Sequence, residues 1–318
     1  MIERCSGVLM PMTSLPSPYG IGTMGKEAFH FIDFLVMAGQ RCWQLLPLGP
    51  TSYGDSPYSS FSSFAGNPYL IDLDLLEDEG LLLPGEAAAV DWGDNPARVD
   101  YGRLYERRFP VLRKAFERGR ERLTPEYEHF CCENAGWLDN YTLYMAVKAH
   151  FGMASWTEWP DEGIRMHRSD SVEQYRQLLK EEVEFYAFIQ FLFFRQWEAL
   201  KDYARENEIL LIGDIPIYVA MDSADVWAEP YFFQLDGRNL PKEVAGVPPD
   251  GFTADGQLWG NPLYNWERMQ ADGFGWWISR IKGAARLYDV IRIGRKAFEV
   301  EYKTFCDKKD KCRVSGDL

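Results

Sequence analysis

The chain has 318 residues, enough for one large α/β domain or two smaller ones, and its 46% hydrophobic content supplies a sizeable core and excludes a disordered chain. Its 48 acidic against 34 basic side chains leave a net charge of −14. An acidic surface of that kind is poorly suited to phosphate backbones or anionic lipid, so neither nucleic acid nor a membrane is an expected partner.

Ser6 to Leu15 reads as a strand, Gly7-Val8-Leu9-Met10-Pro11-Met12, running into a loop rich in Pro, Ser and Gly. A helix is predicted from about Lys26 to Ala38, with Phe29, Ile32 and Val36 at helical spacing and Gly39 where a left-handed C-terminal residue belongs. Cys42-Trp43-Gln44-Leu45-Leu46 is a short apolar strand stopped by Pro47. Strand, helix and strand within about 45 residues predict a βαβ unit and a parallel sheet. From about Gly54 to Asp170 come turns, acidic patches and short helices without a repeat, read as an insertion between the second and third strands. Val183 to Glu206 is a long helix, apolar around much of its circumference and so packed on both sides. It feeds Ile209-Leu210-Leu211-Ile212-Gly213, an unbroken apolar strand of the buried parallel kind. A second long loop, about Met221 to Asn265, is dense in Pro, Gly, Asp and Trp. Phe274 to Tyr288 is again helical, and Asp289-Val290-Ile291-Arg292-Ile293 is a fourth strand.

Four strands joined by helices and long loops fit half of a (β/α)8 barrel, whose active site forms at the C-terminal ends of its strands. A doubly wound open sheet is the alternative, but no glycine-rich phosphate turn follows the first strand. The expected divisions are a first βαβ unit over 1–50, an inserted subdomain over 51–182, a continuation over 183–293 containing the loop 221–265, and a tail over 294–318. Six cysteines show no metal-binding spacing, and reduced thiols are the simplest account. The N-terminus lacks a signal-peptide pattern, and the most apolar segment, Phe185 to Phe194, is too short to span a bilayer. A soluble, cytoplasmic protein is expected.

Candidate chemistry gathers at the strand ends. Asp214 and Arg292 each interrupt an apolar strand, and a buried charge needs a partner or a ligand. The plainer reading pairs them with each other or with a helix cap; the functional one puts them at the mouth of a site. Ser56 and Tyr58 follow the second strand in Gly54-Asp55-Ser56-Pro57-Tyr58. Asp250, Trp259 and Asn261 share a proline-braced loop that offers a carboxylate, an indole and an amide. Those groups suit a sugar, with polar partners for hydroxyls and an aromatic face for its C–H side, although an ordered structural loop with Trp259 as its small core fits equally well.

Ser17-Pro18-Tyr19-Gly20-Ile21-Gly22-Thr23, Gly54-Asp55-Ser56-Pro57-Tyr58, Gly213-Asp214-Ile215-Pro216-Ile217-Tyr218-Val219, Asp222-Ser223-Ala224-Asp225-Val226-Trp227, Val244-Ala245-Gly246-Val247-Pro248-Pro249-Asp250 and Gly256-Gln257-Leu258-Trp259-Gly260-Asn261-Pro262-Leu263-Tyr264 stand in one order. Together they resemble the N-terminal part of amylomaltases, the 4-α-glucanotransferases of glycoside hydrolase family 77, over about residues 1 to 293. The resemblance implies a (β/α)8 barrel with inserted subdomains that moves a segment of an α-1,4-glucan or maltooligosaccharide to the 4-hydroxyl of an acceptor. It implies a retaining mechanism with a carboxylate nucleophile and a second carboxyl as acid/base, and no metal or organic cofactor. By motif position Ser56, Tyr58, Asp214, Asp250, Trp259, Asn261 and Arg292 would line the sugar subsites, with Arg292 beside the nucleophile. The family's strand continues Arg-Ile-Asp-His-Phe-Arg-Gly, and its Asp is the nucleophile; here Arg292-Ile293 is followed by Gly294, which has no side chain to attack C1. Arg295 to Leu318 carries seven Lys or Arg and little of the family's pattern. The expectation is a truncated or frame-shifted product lacking the family's acid/base Glu and inactive alone, either a glucan-binding fragment or an unstable one.

Overall fold

The computed structural model describes residues 4–52, 54–95, 97–122, 125–249, 251 and 253–293, with the backbone of two further strands at 303–307 and 311–315. In chain order, β1 (Gly7–Leu9), α1 (Lys26–Met37) and β2 (Cys42–Gln44) form the first unit. Helices α2 (Leu73–Asp78), α3 (Tyr101–Gly119), α4 (Pro125–His150), α5 (Glu162–Arg165), α6 (Ser169–Leu178) and α7 (Lys180–Glu206) precede β3 (Leu210–Ile215). Then come α8 (Ala224–Ala228), β4 (Val244–Val247), β5 (Gln257–Pro262), α9 (Trp266–Ala271), α10 (Gly275–Leu287) and β6 (Val290–Ile293). β7 (Lys303–Asp307) and β8 (Lys311–Ser315) follow.

β1, β2, β3 and β6 lie side by side in that order, all parallel, so the four expected strands do make one sheet. A second, antiparallel sheet runs β5-β4-β7-β8. It departs from the sequence reading, which took 221–265 as loop. The glycines and prolines of 244–262 hide the alternation, and a bulge between Val244 and Gly246 shifts the register besides. α1 buries Ile32 as expected, but Val36 lies off the buried stripe. Ala28, Ile32 and Leu35 are inaccessible, while Val36 is 44% exposed and Phe29 packs at the flank against Tyr203. Gly39 (φ +66°) ends this helix as expected, letting the N–H of Gln40 reach back to the Leu35 carbonyl.

Residues 101–150 form two long helices where only short ones were expected. α3 starts on Asp100, whose carboxylate accepts from the N–H of Arg103, and it contains Pro110. α4 and α7 pack along one another, with Phe130 and Trp137 against Phe194. α7 is the hub of the core. Ile189, Leu192, Phe193, Trp197 and Leu200 are fully buried between the sheet and the inserted helices. Each large ring buried there is worth on the order of 5 kcal/mol of transfer free energy before entropy is subtracted. Two glutamines on α7 act as strand partners for an irregular stretch of backbone. Gln190 accepts from the Gly66 N–H (2.8 Å) and donates to the Gly66 carbonyl (2.9 Å). Gln196 does the same for Asp72, at 2.7 and 3.1 Å. These bonds settle backbone groups that would otherwise be stranded inside. No helix among the described residues is long and apolar enough to cross a membrane.

Candidate functional site

The carboxyl ends of β3 and β6 set the first wall. Asp214 and Arg292 are register partners across those parallel strands, so their side chains leave the sheet on the same face. Asp214 Oδ2 accepts from Arg292 Nη1 at 2.8 Å and from the Tyr58 hydroxyl at 2.9 Å. The two readings offered for this pair therefore meet, because the charges compensate each other and still face a cleft. The Asp214 side chain is 6% exposed and that of Arg292 57%, so the arginine is open to the cleft that both residues line. Burial, and then the neighbouring Asp214 carboxylate, push the Tyr58 phenol above its ordinary value, with Arg292 opposing; the hydroxyl stays a neutral donor. Gly213 supplies the room behind this wall. A Cβ there would lie 2.1 Å from the Tyr288 ring.

Tyr58 is delivered by a tight turn. Gly54 and Asp55 both have positive φ, Ser56 Oγ accepts from the Tyr58 N–H at 3.3 Å, and the Ser52 and Ser59 hydroxyls bond across at 2.6 Å.

The opposite wall is aromatic. Trp259 on β5 is 47% exposed, so it is no loop core; its Nε1 donates to Gln257 Oε1 at 3.1 Å. Behind it stands Tyr218 (centroids 6.3 Å), which stacks on Tyr264 (6.0 Å, 17°), which in turn meets Trp277 (5.3 Å). The buried Arg280 fixes this ladder. Its Nη1 donates to the Tyr264 hydroxyl (3.0 Å) and the Ile217 carbonyl (3.2 Å), and its Nη2 to the Pro216 carbonyl. Its guanidinium carbon lies 5.0 Å from the Trp277 ring centroid. Asn261 Nδ2 donates to the Val219 carbonyl at 2.7 Å, tying β5 to the segment after β3. A further link comes from α4. Lys148 of α4, itself buried, gives Nζ to Asp222 Oδ2 at 2.6 Å and to the Ala154 carbonyl at 3.0 Å. Tyr144 donates to Asp222 Oδ1 at 2.6 Å.

Between the walls runs a cleft of about 850 Å³, lined by Ser56, Tyr58, Asp214, Asn261, Trp259 and Arg292 among others. Six of the seven predicted subsite residues thus come together. The seventh, Asp250, lies outside the described residues, as does Gly294. Sequence reasoning did not single out Tyr218, Asp222, Tyr264 or Arg280 as site residues. Tyr218, Asp222 and Tyr264 were at hand in quoted motifs, whereas nothing local marks Arg280, whose acceptors come from as far as 64 residues away. Among the described residues no cluster of three or more His, Cys, Asp or Glu is placed to hold a metal ion. The cleft presents a carboxylate, a phenol, a guanidinium and an amide around an exposed indole, a set matched to a polyhydroxylated ring.

Fold and site together define a parallel-stranded α/β protein with a polar, aromatic-walled cleft at the carboxyl ends of its strands. A family model for 4-alpha-glucanotransferase, glycoside hydrolase family 77, matches residues 10–294, and the chain belongs to that family. It is 48% identical over 294 residues to the 4-alpha-glucanotransferase of Streptococcus pneumoniae serotype 4, covering 92% of this chain and 58% of that protein. It is 47% identical over 307 residues to the enzyme of Thermus thermophilus, covering 95% and 60%. The chain therefore spans about three-fifths of the length of these curated relatives. The amylomaltase from Streptococcus agalactiae, solved in complex with acarbose, superposes with a TM-score of 0.94 at 43% identity over 99% of this chain and 64% of that one. The amylomaltase of Corynebacterium glutamicum, 19% identical with a TM-score of 0.68, shares the fold.

Proposed function

We propose that this chain supplies the glucan-binding wall of a 4-α-glucanotransferase, an enzyme that passes a segment of an α-1,4-glucan to the 4-hydroxyl of an acceptor with retention of configuration. The observation that carries this reading is the Tyr58–Asp214–Arg292 constellation facing exposed Trp259 across the cleft. In this reading Trp259 stacks on the apolar face of a glucosyl ring, while Asp214, Arg292 and Asn261 exchange hydrogen bonds with its hydroxyls. The acarbose on the Streptococcus agalactiae relative, a pseudo-oligosaccharide, supports a maltooligosaccharide as occupant.

The four parallel strands in chain order, with helices between them, support an arrangement as consecutive staves of a (β/α)8 barrel. The division at 1–50, 51–182, 183–293 and 294–318 belongs to the same reading, supported by α2–α6 lying between β2 and the α7–β3 pair. So does a cytoplasmic location. A retaining reaction needs two carboxyl groups about 5 Å apart flanking the scissile bond. The family's nucleophile position falls on Gly294, which has no carboxylate to attack C1, so in this reading the chain binds glucan without transferring it.

The test is to titrate the purified chain with acarbose and maltoheptaose by tryptophan fluorescence, and to incubate it with maltotriose and separate products by length. Saturable binding with no longer oligosaccharides is expected. Absence of binding refutes the glucan-binding reading, and appearance of longer products refutes the placement of the nucleophile at Gly294.

A further inference from the structure

We propose that Cys5 and Cys42 form an oxidation site, at which a hydroperoxide converts two thiols into a disulfide that staples β1 to β2. The two Sγ atoms stand 3.3 Å apart, in contact although 37 residues separate them in sequence. Closing to the bond length of about 2.0 Å takes a shift of about 1.3 Å, within the reach of side-chain rotation. The backbone holds them there. Gly7 is the parallel register partner of Cys42, and a Cβ on Gly7 would lie 2.6 Å from the Cβ of Cys42, so the strands meet as closely as glycine allows. The Arg41 N–H donates to the Ser6 carbonyl at 2.9 Å, which fixes the segment bearing Cys5 beside the one bearing Cys42.

The two sulfurs differ in the way such a reaction requires. Cys5 is exposed and opens onto a surface cleft of about 860 Å³ shared with Arg4, Arg41 and Arg205. Cys42 is 5% exposed, and burial followed by its contact with Cys5 pushes its thiol up to about 11. Cys5 is therefore the sulfur that meets the oxidant. Its thiolate attacks one oxygen of the hydroperoxide, the O–O bond breaks, and the departing alkoxide takes up a proton, giving a sulfenic acid and an alcohol (water, from hydrogen peroxide). The Cys42 sulfur then attacks the Cys5 sulfur; the S–O bond breaks and water leaves with the Cys42 proton. Two thiols lose two electrons and one peroxide gains them. The pair sits at the amino ends of the strands, the opposite end from the cleft, so the staple secures edge strand β1 without touching the residues that line the site. Cys131 and Cys132, adjacent on α4, provide an internal comparison.

The experiment treats the folded full chain with hydrogen peroxide, blocks remaining thiols in denaturant, and maps disulfides by mass spectrometry without reduction. The expected result is a Cys5–Cys42 cross-linked peptide as the main disulfide, a melting midpoint raised by several degrees, and reversal of both by dithiothreitol. In Cys42→Ser the intermediate should accumulate at Cys5 and be captured by dimedone. The proposal is overturned if Cys5 and Cys42 remain open to alkylation while other cysteines oxidise. It is equally overturned if Cys5 joins Cys306, Cys312 or a second chain instead of Cys42.

Discussion

Arg280→Met isolates what the buried guanidinium does, because methionine keeps much of the apolar stem and removes every donor. The Pro216 carbonyl then loses its arginine donor, while the Ile217 carbonyl keeps the Tyr264 hydroxyl at 2.8 Å. Losing this donor costs the half-buried Pro216 carbonyl about 1–2 kcal/mol, and the two weakened acceptors about 1 kcal/mol each. The lost contact with the Trp277 ring adds about 1 kcal/mol. Relief from holding a cation out of water returns roughly 1–2 kcal/mol, leaving a net loss of about 3 kcal/mol. With a urea slope of about 3 kcal/mol/M for a domain of this size, the unfolding midpoint should fall by roughly 1 M. Far-ultraviolet circular dichroism against urea measures this directly. The near-ultraviolet signal of the Tyr218–Tyr264–Trp277 ladder should weaken in the folded variant as well. A midpoint and slope equal to those of the parent would mean that the three acceptors find other partners and that Arg280 does not anchor the wall.

Trp259→Ala removes an exposed ring, so acarbose binding should weaken about tenfold, roughly 1.4 kcal/mol, with the urea midpoint unmoved; equal affinity would remove Trp259 from the sugar-binding wall. Gly213→Ala should cost about 2 kcal/mol, since the new methyl group must displace the Tyr288 ring; a variant as stable as the parent in urea would show that the ring has space to retreat. Burial raises the carboxyl of Asp225 from 3.8 to about 6, against the bonding of Ser63 and the charge of Arg280. The folded state therefore holds this proton more tightly than the unfolded one, and the group's contribution to stability falls as pH rises from about 4 to about 6, by about 3 kcal/mol in all. Asp225→Asn should flatten that slope in urea midpoints measured across the window; an unchanged slope would assign it to other groups.

The parallel sheet was legible because β2, β3 and β6 are short apolar runs bounded by breakers, and because a helix between successive strands returns the chain in the same direction. Asp214 and Arg292 were legible for the complementary reason, as charges where the pattern demanded apolar side chains. α4 was not, since Leu138, Tyr141, Leu143, Tyr144, Met145 and Val147 are buried on several sides and leave no single stripe to count. In α3 the charges and Pro110 masked a helix whose apolar face, Leu104, Val111, Leu112, Ala115 and Phe116, is secured by tertiary packing. Trp259 could be read either way until its exposure was known. Arg280 illustrates the harder limit, because a side chain bonded to three acceptors from two distant segments carries no local signature.

Lys148 and Asp222 belong to different parts of the chain, one on α4 and the other just past β3, and Asp222 also accepts from the Tyr144 hydroxyl at 2.6 Å and the Trp156 N–H at 3.2 Å. The helix that carries the lysine is thus not a freely exchangeable module. Replacing the inserted region with that of another protein would strand Asp222 beside the cleft unless a cation arrived at the same height on the new helix. Drift in the helix that carries Lys148 is constrained by a cleft-lining carboxylate 74 residues away in sequence.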